Sequence, residues 1–242
     1  MILFNIAIKN LFGAKLRTSL NVFVTSVSFF LVIFVSGMYD GMREHAKNIT
    51  IETEIAGGTY WHPKYDPMDP RTFEYSHSVM PPKIKRLIDQ KYAFGVLVSQ
   101  ASIYPNGRIM PAIMKGITPG QTIVNIPTYV LEQDDDITIP VLIGSEMAKN
   151  SNLKIGDSFT IRWLDADRTY DADEGTIVHI METENFKLDQ GHIWIPLSKA
   201  QSMLAMENQA TYVTYAKGLD VIQDTGDWIH HDVDYMIRLS LI

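Results

Sequence analysis

Asp165, Asp167, Asp171, Asp173 and Glu174 are close together and of the type that holds calcium. A helix–loop–helix calcium loop needs Gly at its sixth position and Glu at its twelfth. Counted from Asp165, those positions are Tyr170 and Thr176, so the pattern fails. DADRTYDADEG is predicted to be a solvated hairpin loop. Asp134-Asp135-Asp136 is predicted to be a surface run kept extended by like-charge repulsion. His230-His231 with Asp232 and Asp234 could bind a transition metal. If the segment is a helix, neighbouring imidazoles point about 100° apart and do not converge. They read as surface histidines. His62, His77, His179 and His192 are scattered and show no ligand spacing such as HxxxH. The chain has no GxSxG, no Walker A motif and no GxGxxG, and Gly57-Gly58 is too little for a phosphate loop. The residues therefore assign no catalytic, cofactor-binding or metal-binding position. A site assembled from distant residues stays open.

Around these residues the pattern is mixed. Pro81-Pro82 precede a helix-like run, KIKRLIDQK. FGVLVSQASIY and RIMPAIMKGI read as strands joined at Pro105-Asn106-Gly107, because Asn-Gly tolerates positive φ. Ser145 is placed to cap a short helix, SEMAKNSNL, and a turn at Lys154–Asp157 leads into the strand SFTIRWL. The strands TIVHIME and HIWIP follow, then a helix with a capping box at Ser198 and Gln201, then the strand TYVTY. In DWIHHDVDYMIRLSLI, Ile229, Val233, Met236, Ile237, Ser240 and Leu241 recur at helical spacing. Strands interleaved with helices predict an α+β domain.

Upstream is a different kind of segment. Residues 18–39 are 22 consecutive uncharged positions between Arg17 and Asp40. As a helix they reach about 33 Å, the thickness of a bilayer core. Tyr39 would lie at the far interface. Two other readings stay open: a cleaved signal with Val35-Ser36-Gly37 as its site, and a buried soluble helix. Against a signal, the run is long and 17 residues precede it. Ser26, Ser28 and Ser36 could pack against other helices or bond to their own backbone. Residues 2–17 look amphipathic. Leu3, Phe4, Ala7, Ile8, Leu11 and Phe12 form one stripe, with Asn5, Lys9, Gly13 and Arg17 opposite. That segment either lies along the membrane surface or extends the spanning helix.

The 242-residue chain has a net charge of −7 and no cluster of Lys and Arg, which argues against a nucleic-acid partner. Lys9, Lys15 and Arg17 precede the apolar run without any Asp or Glu, so residues 18–242 carry −10. A basic flank followed by an acidic remainder fits a cytoplasmic N-terminus and an exported bulk. The absence of cysteine removes disulfides and thiolate metal sites. From Arg43 onward no segment is long or apolar enough to cross again.

Four segments in order resemble ABC-transporter permeases of the MacB, FtsX and LolC/LolE type. The first, IAIKNLFGAKLRTSLNVFVTSVSFFLVIFVSGMYDGM, matches through Asn10, Leu11, Lys15, Arg17 and Thr18. The others are MKGITP (114–119), VLIGSEMAKNSNLKIGDSFTI (141–161) and IWIPLSKAQSMLAM (193–206). The resemblance implies a cytoplasmic amphipathic segment over 1–17, a transmembrane helix over 18–42, and a periplasmic core domain over 43–242. It implies a bacterial inner-membrane protein that forms a homo- or heterodimer with another permease. A separate cytoplasmic ABC ATPase would bind the ATP, so the chain itself needs no cofactor and is not an enzyme. Such permeases continue into three further spanning helices. The resemblance thus implies a fragment, a truncated frame or a split gene, with DWIHHDVDYMIRLSLI as a lead-in to the second helix. It assigns no residue to ATPase contact, and leaves the cargo open between lipoprotein, peptide, drug and regulator of wall enzymes.

Three functions are therefore weighed. The first is a permease subunit that couples ATP hydrolysis by a partner to motion of an exported domain, for export or lipoprotein release. The second is a single-pass anchored binding or scaffold protein without an ATPase. The third is an anchored hydrolase with an unrecognised site.

Overall fold

The computed structural model describes residues 15–132 and 138–240. Asp134-Asp135-Asp136 and most of the amphipathic N-terminal segment, including Asn10 and Leu11, lie outside the described residues. The chain divides into two compact units, Met1–Lys47 and Asn48–Ile242.

In the first unit, helix α1 (Lys15–Thr50) carries the apolar run. It is long and apolar enough to cross a membrane, and Phe23, Phe29, Phe30, Ile33 and Phe34 are all exposed. No Pro or Asp/Glu interrupts residues 18–39. Thr25 Oγ1 donates to Asn21 O and Ser28 Oγ to Val24 O, each at 2.8 Å. These bonds spend the two hydroxyl hydrogens on the backbone one turn back, and the oxygens keep lone pairs that a neighbouring helix could use.

The second unit begins with the last residues of α1 and a π-helical turn (Ile51–Ile55). Its strands are β1 (Gly58–Trp61), β2 (Ser78–Val79), β3 (Ala93–Tyr104), β4 (Met110–Ile117), β5 (Pro140–Gly144) and β6 (Ser158–Leu164). They continue as β7 (Tyr170–Met181), β8 (His192–Pro196), β9 (Gln209–Ala210), β10 (Tyr212–Tyr215) and β11 (Ile229–His231). Between them lie helices α2 (Pro82–Asp89), α3 (Ser145–Ser151), α4 (Phe186–Gly191) and α5 (Leu197–Met203), with α6 (Val233–Ser240) last. The architecture is α+β, as the interleaved pattern predicts.

Nine strands form one sheet in the order β11-β1-β10-β3-β4-β8-β5-β7-β6. β3 also pairs with β6, Ala101 opposite Trp163 and Tyr104 opposite Thr160. That pairing closes β3, β4, β8, β5, β7 and β6 into a ring. Alternation then sorts the side chains. Ala112, Met114, Phe159, Ile161, Trp163, Ile193 and Ile195 fill the inside with other aliphatic residues. Ile117, Val98, Leu142 and Trp194 face outward, into a second apolar cluster with Phe73, Leu131 and Leu188.

The β3–β4 hairpin forms at Pro105–Gly107, with Asn106 at φ 51° and Gly107 at φ 75°, as the Asn-Gly pair predicts. Four local expectations change. Ser145 does not cap α3. The carboxylate of Asp189, on α4, accepts from Ser145 N (2.8 Å) and Glu146 N (2.9 Å) instead. The capping box at Ser198 is absent. Pro196 precedes α5 without a side-chain cap, and Gln201 Nε2 donates to Gln209 O at 2.8 Å. DADRTYDADEG is only partly loop, because Tyr170–Gly175 extends β7 against β6. The final segment starts as the strand β11 before it becomes α6. In the last two cases a paired strand satisfies the backbone, which a polar composition or a helical period cannot reveal.

Candidate functional site

β4 places Ile113, Lys115 and Ile117 on the outer wall of the ring, opposite Met114 and Gly116. Lys115 is therefore a cation in an otherwise apolar row, and it is only 7% exposed. The π-helical turn supplies its counter-charge. Lys115 Nζ donates to Glu54 Oε1 at 3.0 Å. Burial pushes the Glu54 carboxyl up, but Lys115, then His192, pull it down further, with hydrogen bonds from Lys115 and Asn185 helping. The net result is a carboxyl below its ordinary value. Such a pair is ionised, and its mutual attraction offsets the cost of leaving water.

The same turn is pinned twice more. Thr214 Oγ1, on β10, donates to Glu54 O at 3.3 Å, and Asn125 N donates to Glu52 O at 2.7 Å. Asn185 Nδ2 adds longer bonds of 3.5 Å to Thr53 Oγ1 and Glu54 Oε2, so four parts of the domain hold the five residues Ile51–Ile55.

Glu54 and Lys115 line a half-open cavity of about 500 Å³. Thr59 and Trp61 enter it from β1, Tyr212 from β10, Val98 from β3 and His192 from the start of β8. Tyr65 comes from the loop after β1, Phe73 from the 3-10 helix Pro70–Tyr75, Leu188 from α4, and Met236 and Leu239 from α6. Its aromatic wall is continuous. Trp61 meets Tyr65 edge-on at 5.0 Å, and Tyr65 stacks on Tyr212 at 5.6 Å. Burial raises both phenol pKa values well above the ordinary range, so the hydroxyls stay protonated. Thr59 is 1% exposed, and its Oγ1 has no hydrogen-bond partner among the described residues. A buried orphan hydroxyl is uncommon and costs stability.

The sequence candidates are elsewhere. His230 and His231 alternate across β11 rather than around a helix, so they diverge for a different reason than a helix would give. His230 Nε2 lies 2.8 Å from Tyr215 Oη, and His231 stacks on Tyr235 (4.5 Å) and meets Trp61 at a tilt (4.4 Å). Asp165 Oδ1 accepts from Thr169 N at 2.7 Å and closes the β6–β7 turn. Among the described residues no group of three or more His, Asp or Glu is arranged to hold a metal ion. Of the scattered histidines, only His192 reaches the cavity.

No family model matches the chain, and no curated protein matches it. Solved structures do. The domain shares the fold of the periplasmic region of MacB. The match is to the crystal structure of that region from Actinobacillus actinomycetemcomitans, with a TM-score of 0.50 at 12% identity. It covers 79% of this chain and 95% of the MacB region. The extracellular domain of the noncanonic ABC-type transporter YknZ from Gram-positive bacteria also aligns, with a TM-score of 0.39 at 8% identity. That alignment covers 67% of this chain and 83% of the other.

The MacB-like fold agrees with the α+β expectation. The pair at Lys115 was in view only as part of MKGITP. Its signal was a lone charge inside an apolar strand, matched by Glu54 inside IETEIAGG. Thr59 gave no signal, because an unremarkable Thr becomes an orphan only once its neighbours are placed.

Proposed function

We propose that this chain is a permease-type component of an ABC transporter. α1 would anchor it in the bacterial inner membrane, with the N-terminus cytoplasmic and the MacB-like domain outside. A cytoplasmic ABC ATPase would bind and hydrolyse ATP, and a second permease, identical or different, would complete a dimer. The observation that carries the reading is a MacB-like fold directly following a helix long enough to span a bilayer.

The domain's part in this is mechanical. α1 runs without a break to Thr50 and passes directly into the pinned turn Ile51–Ile55. A displacement delivered along the chain at Thr50 loads the Glu54–Lys115 bond, and Lys115 belongs to the ring wall. Small shifts pass through a close-packed interior rather than being absorbed by it. This role needs no reactive side chain. Export or lipoprotein release would be the task served.

The test is the native product. Antibody to residues 43–242 is used to blot membranes after mild detergent extraction. A band well above the size of the 242-residue chain, co-purifying with a nucleotide-binding subunit, is expected. A band at the size of this chain without an ATPase overturns the reading. It would leave a single-pass anchored binding or scaffold protein.

A further inference from the structure

We infer that Ile51–Ala56 is a two-state joint: a strained π-helical turn latched by Glu54, which relaxes into an α-helical turn when Glu54 is released. The turn is closed by Ala56 N, which donates to Ile51 O at 2.8 Å, five residues back instead of the four of an α-helix. Such turns are rare and short. Ala56 ends it at φ 50° and ψ −107°. That is close to the first central position of a type II′ turn, which Gly dominates because a Cβ is strained there. Ala56 is 2% exposed and held in the apolar cluster that contains Phe73 and Leu188, so it cannot swing out to relieve the strain.

A strained backbone persists only where its surroundings over-determine it. Here the surroundings converge on one residue. The Glu54 carboxylate accepts from Lys115 and Asn185, and the Glu54 carbonyl accepts from Thr214. On the β1 side nothing can give. Gly57 N donates to Tyr215 O at 2.9 Å, and a Cβ on Gly57 would overlap Ala216 O. On the other side there is room. Thr50 and Glu54 line the cavity, and α6 packs against the turn while Met236 and Leu239 line the same space. Open volume beside a strained turn permits a change that close packing would forbid.

When Glu54 lets go, Ile55 N takes over Ile51 O and the turn loses its extra residue. Asn48–Thr50 then shift by one helical position, about 1.5 Å along the axis and about 100° around it. The joint therefore moves in a step instead of stretching, and Glu54 sets the load at which the step occurs. It needs no nucleotide, so it holds whether or not an ATPase partner exists.

Hydrogen exchange of the full chain in nanodiscs is read residue by residue by mass spectrometry with fragmentation. Lys115→Met and Thr214→Val each remove one attachment of Glu54, and Thr214→Val is the milder change, with a strand-forming side chain of similar size. In Thr214→Val the protection factor at position 56 should fall about three- to tenfold through one lost hydrogen bond, while Ile55 stays protected. Lys115→Met should lower it further. Protection at Val96 and Ile193, inside the sheet, should change less than at position 56 in both. Ala56→Gly suits φ 50° and disfavours a helical turn, so added to either variant it should restore protection at position 56 by about fivefold or more. Loss of protection spread evenly over the domain in both variants, no loss at position 56 in Thr214→Val, or a further loss on adding Ala56→Gly each overturns the inference. Each of these outcomes leaves the transporter reading standing, because that reading is tested on the native product.

Discussion

Lys115 Nζ lies 3.0 Å from Glu54 Oε1, and the two residues are 61 positions apart in the chain. The bond ties the turn after α1 to the outer wall of the strand ring, and four measurable outcomes bear on this frame.

Lys115→Met should destabilise the domain by about 3 kcal/mol, because Glu54 is left without its partner in a partly dry site. The loss falls at the low end of that range because the Glu54 side chain is still 31% exposed. The double variant Glu54→Gln with Lys115→Met should recover most of it. Chemical denaturation of each variant checks this, and a single-variant loss below about 0.5 kcal/mol would show the pair to be ornamental.

Thr59→Val should raise stability by roughly 1 kcal/mol, since it removes a buried hydroxyl that bonds to nothing and suits a strand. A rise in melting temperature is the readout. A fall would mean that the hydroxyl has a partner in solution.

Asp189→Ala should cost about 1–2 kcal/mol, because the first turn of α3 loses its acceptor for two backbone N–H groups. Asp189→Asn, which keeps one acceptor oxygen, should cost less. Gly144→Ala should also destabilise, because a Cβ there would meet Asp189 O at 2.3 Å and Asp189 Cα at 2.5 Å. Equal melting temperatures for Asp189→Ala and the unaltered chain would refute the distant cap.

Stability should fall as the pH drops below about 6.5. His62, His230 and His231 have pKa values lowered chiefly by burial, so the unfolded chain takes up protons before the folded one. Their contribution is complete above 6.5 and is lost on the way down to their folded values. Glu54 adds a second step. Its folded value is below the ordinary 4.5, so its share is present above 4.5 and is lost as the pH falls through the folded value. Denaturation midpoints between pH 8 and about pH 3 should show both steps, and Lys115→Met should remove the second.

These quantities differ in how much of them the sequence discloses. Asn106-Gly107 announced the β3–β4 turn because φ is a property of the residues themselves. The strand SFTIRWL and the apolar run 18–39 were readable for the same reason, as local patterns of period and charge. Ser145 misled, because a capping serine and a serine capped by Asp189 look alike until α4 is placed. The cavity was unreadable in principle. Its walls come from β1, β3, β4, β10, α4 and α6, and nothing in the order of residues brings Thr59 and Lys115 to the same surface.

The β3–β6 pairing has one more effect. An open sheet of nine strands would have two unpaired margins, each a template on which another chain could grow. Here one margin is consumed by closure, and the other falls to β11, three residues long and followed at once by Asp232. The nine-stranded sheet thereby offers little free edge for strand-to-strand aggregation, at the cost of a ring whose members cannot slip past one another.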